Sequence, residues 1–187
     1  SVMLKGRKVI AVSHFVYNHI LQNYRIDPQK LIVIQRGVDL QAFDPQKVSI
    51  EKKAKLLQAL QLSAQANYLK HLSQNDKGLS SIMPSIAEKQ KQGYRILLLP
   101  ARFTRWKGHL YLLEILKLIN DQLFICLLIG AKDEKHTGYI AEIIQLIQRY
   151  RLADKVFICD IVHDMPALYT LCDIVISPSL QPEAFGR

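Results

Sequence analysis

The chain has 187 residues, 49% of them hydrophobic and 22% charged, a composition that excludes a disordered chain or a disulfide-built miniprotein and fits one large or two small packed domains. A formal net charge of +9 favours anionic partners such as phosphates, nucleic acid or an acidic membrane face. Its three cysteines, Cys126, Cys159 and Cys172, lie in apolar stretches without paired spacing, which argues against a zinc site or redox dithiol and for buried thiols in a reducing compartment.

Residues 1–7 are basic and short, with no long apolar core behind them, and do not resemble a signal peptide. Residues 8–12 are a short β-branched run, expected as a strand covered on both faces. Ser13 opens a helix that runs to Tyr24. Asp27 and Pro28 break it, and residues 31–34 form a second strand ending in a turn at Arg36 and Gly37. Residues 46–93 are rich in Gln, Lys and Ser. They read as a linker with a helical insertion, a helix over 50–62 and loops or weak helices over 63–93.

Beyond Tyr94 the pattern predicts strands over 95–101, 123–130, 155–159 and 173–177. Helices are expected over 108–119, 137–150 and 164–171. Short apolar strands alternating with amphipathic helices mean βαβ units and a parallel sheet, so the fold class is α/β and Rossmann-like. The most apolar region, 110–131, contains Glu114, Lys117 and Asp121, too many charges for a membrane-spanning helix. Ligands of open parallel sheets bind beyond the carboxyl ends of the strands. The loops after Pro100, Gly130, Cys159 and Ser179 are therefore expected to face a common crevice.

Two of those loops carry candidate chemistry. Residues 101–109 place Arg102, Arg105 and Lys107 at the carboxyl end of a buried strand and the start of a helix. A guanidinium fork, a mobile ammonium and unpaired first-turn N–H groups together suit a diphosphate. Taken alone, the same pattern is more often a solvated basic turn. In the tail, Glu183 follows the last strand in a proline-bounded loop, where it can accept hydrogen bonds from sugar hydroxyls or cap a following helix with equal ease. Phe185 and Gly186 allow close backbone approach.

Taken together these segments resemble the retaining glycosyltransferases of family 4, which have two Rossmann-like domains in the GT-B arrangement. Residues 10–13, 30–34 and 37–39, with Phe43 and Pro45, resemble the close of that family's acceptor domain. Residues 102–108 resemble its phosphate-binding turn, and 164–169 with Asp173, Pro178 and Ser179 resemble the run before its paired-glutamate motif. Residues 182–186 are similar to the opening of that motif. The resemblance covers most of the chain except about 46–93, and it divides the chain into the end of an acceptor domain (1–45), the linker (46–93) and the first part of a nucleotide-sugar-binding domain (94–187).

The resemblance implies that Arg102 and Lys107 bind the donor diphosphate and stabilise the charge growing on it as the glycosidic bond breaks. It implies that Glu183 contacts the transferred sugar, with the backbone of Ala184, Phe185 and Gly186 lining the same pocket. Around Cys159, Asp160 and Ile161 the family holds the nucleobase through backbone groups, and Asp160 stands here where glycine is common. Ala101 likewise replaces a glycine often found before the arginine. The implied activity is sugar transfer with retention, of the hexosyltransferase type, from a UDP- or GDP-sugar to a lipid or cell-envelope glycan precursor, with no cofactor and no metal. The motif's second glutamate and the acceptor-side glycine-rich loop are expected to lie outside residues 1–187, so this stretch alone is expected to be inactive.

Other classes fit less well. His14, His19, His71, His109, His136 and His163 show no ligand pair beside a carboxylate, and no serine sits in a nucleophile elbow. Nucleic-acid binding accounts for the charge, but no RNA- or DNA-binding signature is present, and no nucleic-acid partner is expected. A non-catalytic nucleotide-binding or interaction module and a sugar-nucleotide epimerase of the same architecture remain alternatives. The basic surface suits a cytoplasmic protein docked peripherally on the anionic inner face of a membrane.

Overall fold

The computed structural model describes residues 5–71, 85–131 and 137–181. The chain divides into two compact units, one running to Leu40 and the other spanning Gln41–Gln181.

The first unit is a βαβ element. Strand β1 (Val9–Ala11) pairs in parallel with β2 (Leu31–Val33), Val9 opposite Leu31. Helix α1 (His14–Asn23) connects them, and the Ser13 hydroxyl caps it by accepting from the Val16 N–H at 3.2 Å. That bond satisfies one of the donors a helix start leaves open. Ala11 and Leu31 are buried, whereas Ile10, Phe15, Ile32 and Ile34 are exposed.

The second unit is a four-stranded parallel sheet with helices on both faces. Its strands are β3 (Arg95–Pro100), β4 (Phe124–Ile129), β5 (Val156–Cys159) and β6 (Ile174–Val175), in spatial order β5-β4-β3-β6. All six residues of β4 are buried, as expected of a central strand covered on both sides. Alternation divides them between two cores. Phe124, Cys126 and Leu128 pack with Leu97 and Leu99 against helices α4 (His109–Leu118) and α5 (Thr137–Arg149). Ile125, Leu127 and Ile129 pack on the opposite face with Ile96, Leu98 and Phe157, under Leu60 and Ala64, Ile86, and Leu168. Those four come from helices α2 (Ile50–His71), α3 (Ile86–Lys91) and α6 (Met165–Tyr169).

The α/β, parallel-sheet class read from the sequence is the class observed, and the strands and helices beyond Tyr94 fall within a few residues of their expected positions. The difference lies in residues 63–71, expected as loop or weak helix, where α2 instead continues unbroken to His71. Its inward residues, Leu60 and Ala64, are each only 2% exposed and belong to the sheet's core. Burial of that stripe stabilises a helix whose own composition is nearly neutral in hydrophobicity.

Candidate functional site

The strand order fixes where a ligand can enter. Successive strands β3, β4 and β5 step one way from β3, and β6 lies on its other side. The order therefore reverses between β3 and β6, and an open parallel sheet binds ligands beyond the carboxyl ends at such a reversal. The loops leaving β3 and β6 flank it.

The loop after β3 is shaped by one buried side chain. Phe103 is fully buried in the core, so its neighbour Arg102 is turned outward and is exposed. The Thr104 N–H donates to the Arg102 carbonyl at 2.8 Å, closing a tight turn into the 3-10 turn Arg105–Lys107. Among the described residues Arg102 forms no ion pair. Lys107 is half-buried, its ammonium 4.2 Å from the centre of the Trp106 ring, a distance at which the ring face attracts the cation.

Arg105 is committed elsewhere. Its guanidinium meets both carboxylate oxygens of Glu142 on α5, at 2.6 and 3.3 Å, and lies over the Tyr139 ring. The Glu142 carboxylate raises its pKa further above the usual arginine value. Of the three cations read at this turn, Arg105 anchors the turn to α5, while Arg102 is exposed beside it.

His109, the first residue of α4, is fully buried, stacked on Phe103 with ring centres 5.0 Å apart and meeting the edge of Tyr139 at 5.9 Å. Neither ring nitrogen has a hydrogen-bond partner among the described residues. Burial pulls its pKa down from 6.5 to about 4, which the Thr104 backbone only partly opposes and nearby Lys107 reinforces. The neutral imidazole is a packing element under the turn.

Gly108 joins the two loops. It adopts φ +76, a left-handed conformation open mainly to glycine, and a Cβ there would lie 2.1 Å from the Pro178 carbonyl oxygen. The Leu180 N–H donates to the Trp106 carbonyl at 2.8 Å. The loop after β4 joins the same cluster, since a Cβ on Gly130 would stand 1.9 Å from the Ala101 carbonyl oxygen. Three of the four loops expected to share a crevice are thus in direct backbone contact.

The loop after β5 is held differently. Asp160 and Ile161 are exposed, on the same sheet edge but two strands from β3. Asp160 is bound by Ser63 of α2. Sequence reading missed this contact, whose signal was a polar pair, Ser63 and Asn67, on the inward face that also carries Leu56, Leu60 and Ala64. Asp173, before β6, accepts from the Ile96 N–H and from Arg95, both at 2.8 Å, and the Ile96 N–H first and Arg95 second hold its carboxyl below the usual range. Glu183, Ala184, Phe185 and Gly186 lie outside the described residues. Among the described residues no group of three His, Cys, Asp or Glu side chains could hold a metal, and no helix is long and apolar enough to cross a membrane.

Residues 84–187 match the model of the family described as glycosyl transferases group 1, and residues 1–42 that of glycosyltransferase family 4. A glycosyltransferase from Rickettsia africae is 37% identical over 100% of this chain, which covers 42% of that protein, with a TM-score of 0.75. The Anabaena protein HepE, solved with UDP-glucose, is 24% identical over 97% of this chain and 41% of its own, with a TM-score of 0.66. Sucrose-phosphate synthase from Thermosynechococcus elongatus is 20% identical over 99% of this chain and 38% of its own, with a TM-score of 0.68. The chain thus spans about two-fifths of the length of these proteins. No curated protein matches it.

Proposed function

The chain belongs to the glycosyl transferases group 1 family, and on that premise we propose that its second unit is the donor-binding part of an enzyme that transfers a sugar from a nucleotide diphosphate sugar. The observation that carries this reading is the meeting of the Arg102–Lys107 turn with the β6 loop at the strand-order reversal, sealed by the approach of Gly108 to Pro178. Arg102 and Lys107 hold the diphosphate. Their charge matters most as the glycosidic bond breaks, when the departing diphosphate gains negative charge that preorganised cations stabilise.

The loop after β5 stands about 10 Å along the sheet edge, two strand spacings away, and receives the nucleobase through the backbone of residues 159–161. Glu183 accepts hydrogen bonds from the transferred hexose, and the backbone at 184–186 lines its pocket. Transfer proceeds with retention and without a metal, onto a lipid or envelope glycan precursor at a cytoplasmic membrane face to which the +9 charge draws the protein. HepE, which shares the fold, is solved with UDP-glucose, and UDP is therefore the first nucleotide to test against GDP.

A calorimetric titration of the protein with UDP and GDP, beside the double variant Arg102→Ala with Lys107→Ala, tests the reading. Binding of one nucleotide, weakened a hundredfold or more in a folded variant, is expected from the loss of two charge-assisted contacts. Equal affinity in the variant contradicts it.

A further inference from the structure

Helix α2 falls in the part of the chain to which neither composition nor resemblance gave a role, yet it grips one active-edge loop at both ends. At the near end, the Ser63 hydroxyl donates to Asp160 Oδ2 at 2.9 Å and accepts from the Asp160 N–H at 2.7 Å. One turn on, Asn67 is only 3% exposed. Its Nδ2 donates to the Ile158 carbonyl at 2.9 Å and lies 3.4 Å from Ser63 Oγ and 3.5 Å from Asp160 Oδ1. At the far end, the Lys52 ammonium pairs with Asp164 Oδ2 at 2.5 Å, while the other Asp164 oxygen caps α6 through the Ala167 N–H.

These contacts are more than packing. Burying an amide in an apolar layer costs free energy unless its hydrogen bonds are met, and here the Asn67 amide nitrogen meets β5, the loop after it and Ser63. The Ser63–Asp160 pair fixes the backbone of the first residue after β5, the point from which the loop's outward N–H and C=O groups take their direction. It also ties the Asp160 carboxylate to α2. A carboxylate at this edge would otherwise repel a diphosphate bound at Arg102 and Lys107.

We propose that Ser63 and Asn67 are positioning residues that set the geometry of the nucleobase subsite at residues 159–161, so that α2 tunes nucleotide affinity and base selectivity without touching the ligand. The inference rests on the donor-site reading above and deepens it. It assigns to α2 the selection of the base, as distinct from the diphosphate, which the β3 turn holds independently.

The test is calorimetric titration of the protein, Ser63→Ala and Ser63→Thr with two probes, UDP and inorganic pyrophosphate. Ser63 is half-buried, so its alanine variant is expected to fold, and a thermal melt checks this. Loss of one positioning hydrogen bond is expected to weaken UDP about fivefold or more, leave pyrophosphate within twofold, and be reversed by threonine, which restores the hydroxyl. Unchanged UDP affinity in Ser63→Ala overturns the inference. So does equal weakening of both probes, which would make α2 a support of the fold only. If the unsubstituted protein binds neither probe, the donor-site reading falls and takes this inference with it; if it binds both and the variants match it, this inference alone falls.

Discussion

Replacing Gly108 with alanine probes the contact on which the site's shape depends. Two costs can be worked from the structure. Holding a non-glycine residue at φ +76 costs roughly 1–2 kcal/mol. The new Cβ, 2.1 Å from the Pro178 carbonyl oxygen and 2.9 Å from its carbon, must push away backbone atoms, and displacing that loop forfeits the Leu180 to Trp106 hydrogen bond, about another 1 kcal/mol. The sum is roughly 2–3 kcal/mol. Gly93 supplies the control, since it has φ +87 with nothing within 4 Å of its Cβ position. Gly93→Ala therefore pays the conformational cost alone. In urea unfolding Gly108→Ala should lose at least about 1 kcal/mol more than Gly93→Ala, and UDP titration should show affinity reduced in the first and unchanged in the second. Equal destabilisation, or normal UDP binding by Gly108→Ala, would refute the claim that this approach holds the two loops together.

Because the folded pKa of His109, about 4, lies below its ordinary 6.5, the unfolded chain takes up the proton first. Its share of stability, on the order of 3 kcal/mol, is whole above about pH 6.5 and is lost as pH falls toward about 4. His109→Phe keeps the stack on Phe103 and should flatten the corresponding part of a stability profile between pH 7 and pH 4.5, other acid-sensitive groups such as Asp173 cancelling in the difference; a parallel loss in both proteins would contradict this. Asp173→Ala leaves the Ile96 N–H without its acceptor and should cost about 1–2 kcal/mol in urea unfolding, with Asp173→Asn milder; no change would mean that β6 is held by its backbone alone. Burial raises the Cys126 thiol to about 12 and also raises that of the half-buried Cys172. A thiol reagent at pH 8 should therefore modify at most Cys172 in the folded protein, and slowly, and all three cysteines in denaturant. Rapid native labelling of Cys126 would place β4 wrongly.

The second unit's sheet was legible in the sequence because its strands are buried on both faces, so that residues 124–129 read as an unbroken apolar run bounded by turns. Parallel order followed from the alternation of such runs with helices, and the crevice from the parallel order. Helix α2 was legible only to about Leu62, for a physical reason. It packs against β5, the edge strand of the sheet, so a narrow stripe suffices, and that stripe ends in a small residue, Ala64, and a polar one, Asn67. Its far half looks like polar linker until the partners on β5 are known. The basic turn was legible as a cluster of cations, but not the division of labour within it. That Arg105 serves Glu142 depends on a residue of α5, 37 positions away. The Lys107, Gly108 pair marked a helix start, and only the fold shows which carbonyl excludes a side chain there.

The central claim is that the reversal of strand order between β3 and β6 is where the donor diphosphate binds. It is tested most directly by following backbone amide shifts of the isotope-labelled protein during titration with UDP. The account predicts that the largest shifts fall at residues 102–109 and 176–181, with a second group at 159–161 that inorganic pyrophosphate fails to reproduce. Shifts confined to other parts of the sheet, or to the first unit, would contradict it.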